Sequence, residues 1–154
     1  MLIFCHLFVG IVIGLIFAVI FKNKFAVLFG AVGGILPDLI DKPLGHLILS
    51  ETIGNGRIYA HSCVFIGALI ILGVILFAVN HEKIAVLCIA AGALSHQLLD
   101  FMWTQTDVWF WPFAGPFISD AGIQKILSGY QPVIIFGAVE LLVCGIFYIL
   151  LARK

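Results

Sequence analysis

An apolar run of 20 residues, LIFCHLFVGIVIGLIFAVIF, occupies positions 2 to 21 and constrains the fold more than any other feature of the chain. At about 1.5 Å of rise per residue, a helix of that length reaches about 30 Å, the thickness of a bilayer's hydrocarbon core. The run lacks the basic start and small-residue cleavage site of a secretory signal, so it is expected to be kept as a first span. The rest of the chain has the same character. Of its 154 residues, 63% are hydrophobic and 10% charged, with a mean hydropathy of +1.22. Soluble domains do not reach such values. The expectation is an all-α integral membrane protein, multi-pass in the cell membrane, with the lipid bilayer as its first partner. Formal net charge is zero, so the charge balance gives no nucleic-acid partner. Nothing in the pattern specifies an oligomer.

Five apolar segments emerge: about 2 to 21, 25 to 37, 58 to 80, 84 to 103 and 132 to 151. The second, FAVLFGAVGGILP, has 13 residues, too few to cross the core, and is expected to be a half-thickness helix ending at its proline. A polar stretch from 38 to 57 contains Gly-Asn-Gly and reads as a loop. Residues 104 to 131 are too broken by proline to span; Trp109, Trp111 and Phe113 there suit a membrane interface, and Ser119 or Asp120 would cap a short helix closed by Gly129. There is no internal repeat, low-complexity tract or linker, so residues 1 to 154 read as one domain. Gly10 with Gly14, and Gly30 with Gly34, have the four-residue spacing that lets helices in lipid pack closely. The four cysteines, Cys5, Cys63, Cys88 and Cys144, lack a C-x-x-C spacing and read as packing residues.

With five crossings, Lys22, Lys24, Lys83, Arg153 and Lys154 share one side, while Lys42, Arg57 and Lys125 lie on the other. The positive-inside rule assigns the first group to the cytoplasm. His6, Asp38, Asp41, His61, His96 and Asp100 then fall in the outer half of the membrane, although four segments supply them. Such groups cost several kcal/mol in lipid unless paired, hydrated or bound to a metal. His96 and Asp100 are helical neighbours at i and i+4, with Gly92 one turn earlier on the same face, which points them into the bundle. Three histidines with up to three carboxylates suit zinc, with manganese and iron as further candidates. Such an ion could acidify water for hydrolysis. Glu140, in the middle of the fifth segment, is either a further ligand, a general base or a neutral acid bonded to another helix. His46 and His81 stand apart, one in a loop and one on the opposite side.

The pieces HLFVG, GGILPDLIDKP, GRIYAHSCVF, GALSHQLLDFMW and WFWPF, in that order, resemble the YdjM-like family of predicted membrane-bound metal-dependent hydrolases. That family is usually written with a Thr-His-Ser triplet and an upstream His-Arg pair; here Ala60-His61-Ser62 and Gly56-Arg57 stand in those places. The resemblance extends distantly to zinc-dependent phospholipase C and related single-strand nucleases, which are helical. It implies a phospholipase C-like metal site near one face of the bundle. Asp41 or Asp38, with His61, His96 and Asp100, would bind one ion, and Asp100 would bridge to a second completed by His6. No histidine follows His96, so one or two zinc ions are expected rather than three. By the same resemblance the substrate is a phosphoester of a lipid or lipid-linked molecule; for such a reaction Asp38 or Glu140 is the candidate base, and Arg57 or Lys42 would contact the phosphate. Two other classes remain open from the residues alone. A divalent-ion or proton transporter would continue its polar residues into the cytoplasmic half, where apart from Glu140 the segments LIFAVIF, LIILGVILF and IFYILL are bare. A structural membrane protein would use the polar cluster only to fix helix register.

Overall fold

The computed structural model describes residues 3–44, 57–81 and 83–115. The chain divides into two compact units, His6–Ser119 and Met1–Cys5 with Asp120–Lys154, and nearly all of the described residues belong to the first. The fifth apolar segment, Glu140 within it, Cys144, the short helix expected after Ser119, His46 and most of the 38 to 57 stretch lie outside the described residues.

Every regular element among the described residues is helical: α1 (Ile3–Phe21), α2 (Ala26–Pro43), α3 (Cys63–Val79), α4 (Ala85–Leu99), a 3-10 turn at Met102–Thr104 and a short α5 (Thr106–Trp109). Of these, only α1 is long and apolar enough to cross a membrane by itself. The 17 residues of α3 and 15 of α4 reach about 25 Å or less, short of a hydrocarbon core of about 30 Å. Both are shorter than their hydropathy suggests, for local reasons. The N–H groups of Ile58, Ala60 and His61 are turned toward Asp41, so α3 begins only at Ser62, whose hydroxyl accepts from the Phe65 N–H. At its far end α4 stops where Phe101 takes a left-handed conformation, φ 53°.

In α2 the departure runs the other way. The helix does not end at Pro37 but continues through it to Pro43. One face of α2 carries Gly30, Gly34, Pro37, Asp38 and Asp41, all buried, and this helical spacing is satisfied only if the helix persists. Packing on that face outweighs the hydrogen bond that Pro37 cannot donate. Asp38 and Asp41 are therefore helical residues, not loop residues.

The contacts of α1 and α4 with α2 are made through backbone. A Cβ on Gly34 would collide with the His6 carbonyl on α1, and one on Gly92 would lie 2.6 Å from the Gly30 oxygen and 2.9 Å from the Gly34 nitrogen. Only glycine permits that approach. The burial pattern is inverted relative to a soluble domain: His6, Asp38, Asp41, His61, His96, Gln97 and Asp100 are buried, while Val19, Ile20, Leu28, Ile71 and Val79 are exposed. An exterior so apolar belongs against a non-aqueous phase.

Candidate metal centre

Four chain segments deliver the polar cluster: α1 supplies His6, α2 Asp38 and Asp41, the turn before α3 His61, and α4 with its cap His96 and Asp100. Their meeting follows from the glycine contacts, since Gly34 brings the His6 turn of α1 against α2 and Gly92 lies one helical turn before His96.

The two inner histidines are fixed by what their Nδ1 atoms bond. His96 Nδ1 stands 2.8 Å from the Gly34 carbonyl oxygen, and a carbonyl only accepts, so Nδ1 carries the proton. His61 Nδ1 lies 2.7 Å from Asp41 Oδ2 and donates to that carboxylate. The same carboxylate also accepts from the backbone N–H groups of Ile58, Ala60 and His61, at 2.8, 3.0 and 3.1 Å. Asp41 is thus engaged on both oxygens and does not face the cluster. It orients His61.

With the proton on Nδ1, each ring when neutral offers its Nε2 lone pair, and the two Nε2 atoms face one another at 3.3 Å. Asp38 Oδ1 lies 3.8 Å from both. Asp100 Oδ2 lies 4.0 Å from His61 Nε2 and 3.9 Å from His96 Nε2. With both rings neutral these four atoms are all acceptors directed at one another, an arrangement that repels unless a cation or protons intervene. In a tetrahedral site with bonds of about 2.0–2.2 Å, donor atoms stand about 3.3–3.6 Å apart. The Asp38, His61 and His96 separations match or slightly exceed that edge.

A second group, His6, His96 and Asp100, also satisfies the distances for a metal ion. His6 Nε2 is 3.2 Å from Asp100 Oδ1, and its ring lies 4.0 Å from that of His96 between centroids. Among the described residues the buried His6 Nδ1 has no hydrogen-bond partner, and Asp100 Oδ1 has only His6 Nε2 near it. Because His96 has a single free lone pair, the two groups compete for it and it cannot complete both. Buried histidine and aspartate groups able to hold a metal ion are therefore present, and their chemistry fits a divalent cation that accepts nitrogen and oxygen donors.

Two cations flank the carboxylates at the rim of the cluster. Lys42 Nζ lies 2.6 Å from Asp38 Oδ2 and Arg57 Nη2 2.7 Å from Asp100 Oδ2, with side chains 48% and 30% exposed. Each neutralises one carboxylate from the rim and leaves the Asp38 Oδ1 edge toward the histidines. Gln97 is a participant that sequence reasoning passed over: its amide donates to the Ala60 carbonyl at 2.9 Å and so fixes the turn that carries His61. The only sequence signal for it was a polar residue directly after His96 on a helix otherwise apolar.

The family model for YdjM inner membrane protein matches residues 1–153. The chain belongs to that family. Its membrane setting agrees with the apolar exterior of the described helices. No curated protein and no solved structure matches the chain significantly.

Proposed function

We propose that this member of the YdjM family is a membrane-embedded metal-dependent hydrolase that cleaves a phosphoester in a lipid or lipid-linked substrate. The observation that carries the reading is the pair of Nε2 lone pairs 3.3 Å apart, each fixed by a protonated Nδ1 and both faced by Asp38 Oδ1. In this reading Asp38, His61 and His96 hold one zinc ion, Asp100 and His6 border it, and manganese or iron are the alternatives. Bound there, the ion supplies Lewis acidity, drawing charge from a phosphoryl oxygen and acidifying water.

The chain's own residues divide the remaining work. Asp41 and the Gly34 carbonyl hold the proton on each Nδ1 and so aim the two Nε2 atoms at the centre. Arg57 and Lys42, half-exposed at the rim, attract and orient a phosphate. Asp38, held by Lys42 on one oxygen, directs the other inward as a ligand; of the two candidate proton acceptors, Asp38 and Glu140, that leaves the role to Glu140 in this arrangement. The shielding of the cluster under α1 excludes bulk water. The wider arrangement in this reading is a multi-pass bundle of about five membrane segments forming a single domain, with a phospholipase C-like site toward the extracytoplasmic face.

The test is elemental analysis of the purified protein together with a phosphoester screen that includes phospholipids. About one or two equivalents of zinc are expected, with His96→Ala losing both the metal and the hydrolysis. A wild-type protein that carries no stoichiometric metal after exposure to zinc, manganese and iron would overturn the proposal. Loss of thermal stability in His61→Ala and His96→Ala, with bound metal unchanged, would instead support a purely structural cluster.

A further inference from the structure

At the opposite end of the same helices, about 15 Å or more from the cluster along α2 and α4, the α1–α2 and α3–α4 turns surround a second feature. A cavity of about 810 Å³ is lined by Lys22, Asn23, Lys24 and His81, with Phe25 and Ile84 among its apolar walls. Ligand pockets span about 300–1,000 Å³, so the space suffices for a phospholipid headgroup.

Charge distinguishes this end from the other. Lys42 and Arg57 are paired with Asp38 and Asp100, whereas among the described residues no carboxylate stands within ion-pair distance of Lys22, Lys24 or Lys83. Glu82, in the same turn as Lys83, lies outside the described residues. Lys24 instead lies over the Phe25 ring, 5.5 Å from its centroid. The N-termini of α2 and α4 also open here without a side-chain cap. Since α1 and α3 end here with the opposite polarity, helix dipoles do not decide the matter; the lysines do. A preference for basic residues on one side of a membrane accounts for lysines in these turns but not for a cavity between them. Along α1 and α3, directly beside it, Val19, Ile20 and Val79 are exposed and apolar, a surface fit for acyl chains.

We propose that this cavity binds the phosphate of an anionic phospholipid headgroup, with Lys22 and Lys24 as its charged contacts. The full-length protein in neutral detergent is titrated with phosphatidylglycerol, phosphatidylcholine or sn-glycerol 3-phosphate. Lipid retention is followed by native mass spectrometry and the unfolding temperature by a thermal ramp. Phosphatidylglycerol is expected to be retained and to raise the unfolding temperature, and phosphatidylcholine is not. Lys22→Gln with Lys24→Gln should weaken the effect about tenfold or more, while the double arginine variant and Lys83→Gln keep it. Without lipid, every variant should unfold cooperatively at the temperature of the parent protein, which shows that each one folds. Equal retention of both lipids, or undiminished binding by the double glutamine variant, would overturn the proposal. So would an equal thermal shift with glycerol phosphate, which would assign the cavity to a soluble anion.

Discussion

His61 and His96 are made ligand-like by atoms on their far sides, and Asp41 shows how much of a site can be invested in one such atom. Its carboxylate accepts four hydrogen bonds, three from backbone and one from His61 Nδ1. Asp41→Asn preserves the shape but turns one acceptor oxygen into a donor that faces N–H groups. We expect it to cost about 2–4 kcal/mol of stability and to lower metal affinity about 10–100-fold, measured by denaturant titration and by competition with a zinc chelator. Asp38→Asn, with Asp38 facing the histidines and touching no backbone donor in the turn, should lose metal with a smaller loss of stability. The contrast between the two variants separates orienting from ligating. These residue types were legible in the sequence, because six titratable groups in lipid-soluble segments need partners. Which aspartate faced inward was not legible. That choice is made by the N–H groups of residues 58, 60 and 61, and backbone donors leave no mark on side-chain identity.

At the scale of elements, the α2 contacts rest on the absence of side chains. Gly92→Ala would place a methyl against the backbone of Gly30 and Gly34, and backbone yields only by moving a helix. Because the Gly34 carbonyl also holds His96 Nδ1, separating α4 from α2 disturbs the ring. We expect a loss of about 1–3 kcal/mol together with reduced metal content. Gly67→Ala on α3, which meets nothing within 4 Å, should be neutral or stabilising by up to about 1 kcal/mol. A denaturant series on both variants checks the pair. Four-residue glycine spacing announced this packing in α1 and α2, and the His96 and Asp100 pair announced the inner face of α4. Helix ends were less readable. Pro37 reads as a stop by its own chemistry, yet α2 passes it because buried Asp38 and Asp41 hold the next turn in place. The first turns of the third segment are apolar enough for helix but are drawn into holding Asp41.

At the scale of the described part of the molecule, hydropathy located the first four apolar segments and the membrane setting of the family but overestimated how far the third and fourth helices reach. Their shortness follows from what the residues beyond their ends do for the site. If α1 to α4 cross as proposed, the turns at Asn23 and Lys83 share one side and Thr106 lies on the other. Single cysteines at these three positions, in a background without the native four, should react with a membrane-impermeant maleimide in two classes. Asn23→Cys and Lys83→Cys should be protected in intact cells, and Thr106→Cys labelled. Reaction of all three from one side would contradict the arrangement.

The inward acceptors come from positions 6, 38, 61, 96 and 100, so they are contributed in succession as the chain is made from its N-terminus. Until α4 is in place, half of the Nε2 pair is missing; once it docks, unscreened lone pairs oppose its seating. Of the helices that carry the cluster α4 joins last, and on the proposed metal reading it is the one most dependent on a positive charge being ready for it. If the cluster holds an ion as proposed, starvation for it should appear first as a failure to complete assembly, with young chains cleared by proteases before any deficit in turnover is seen.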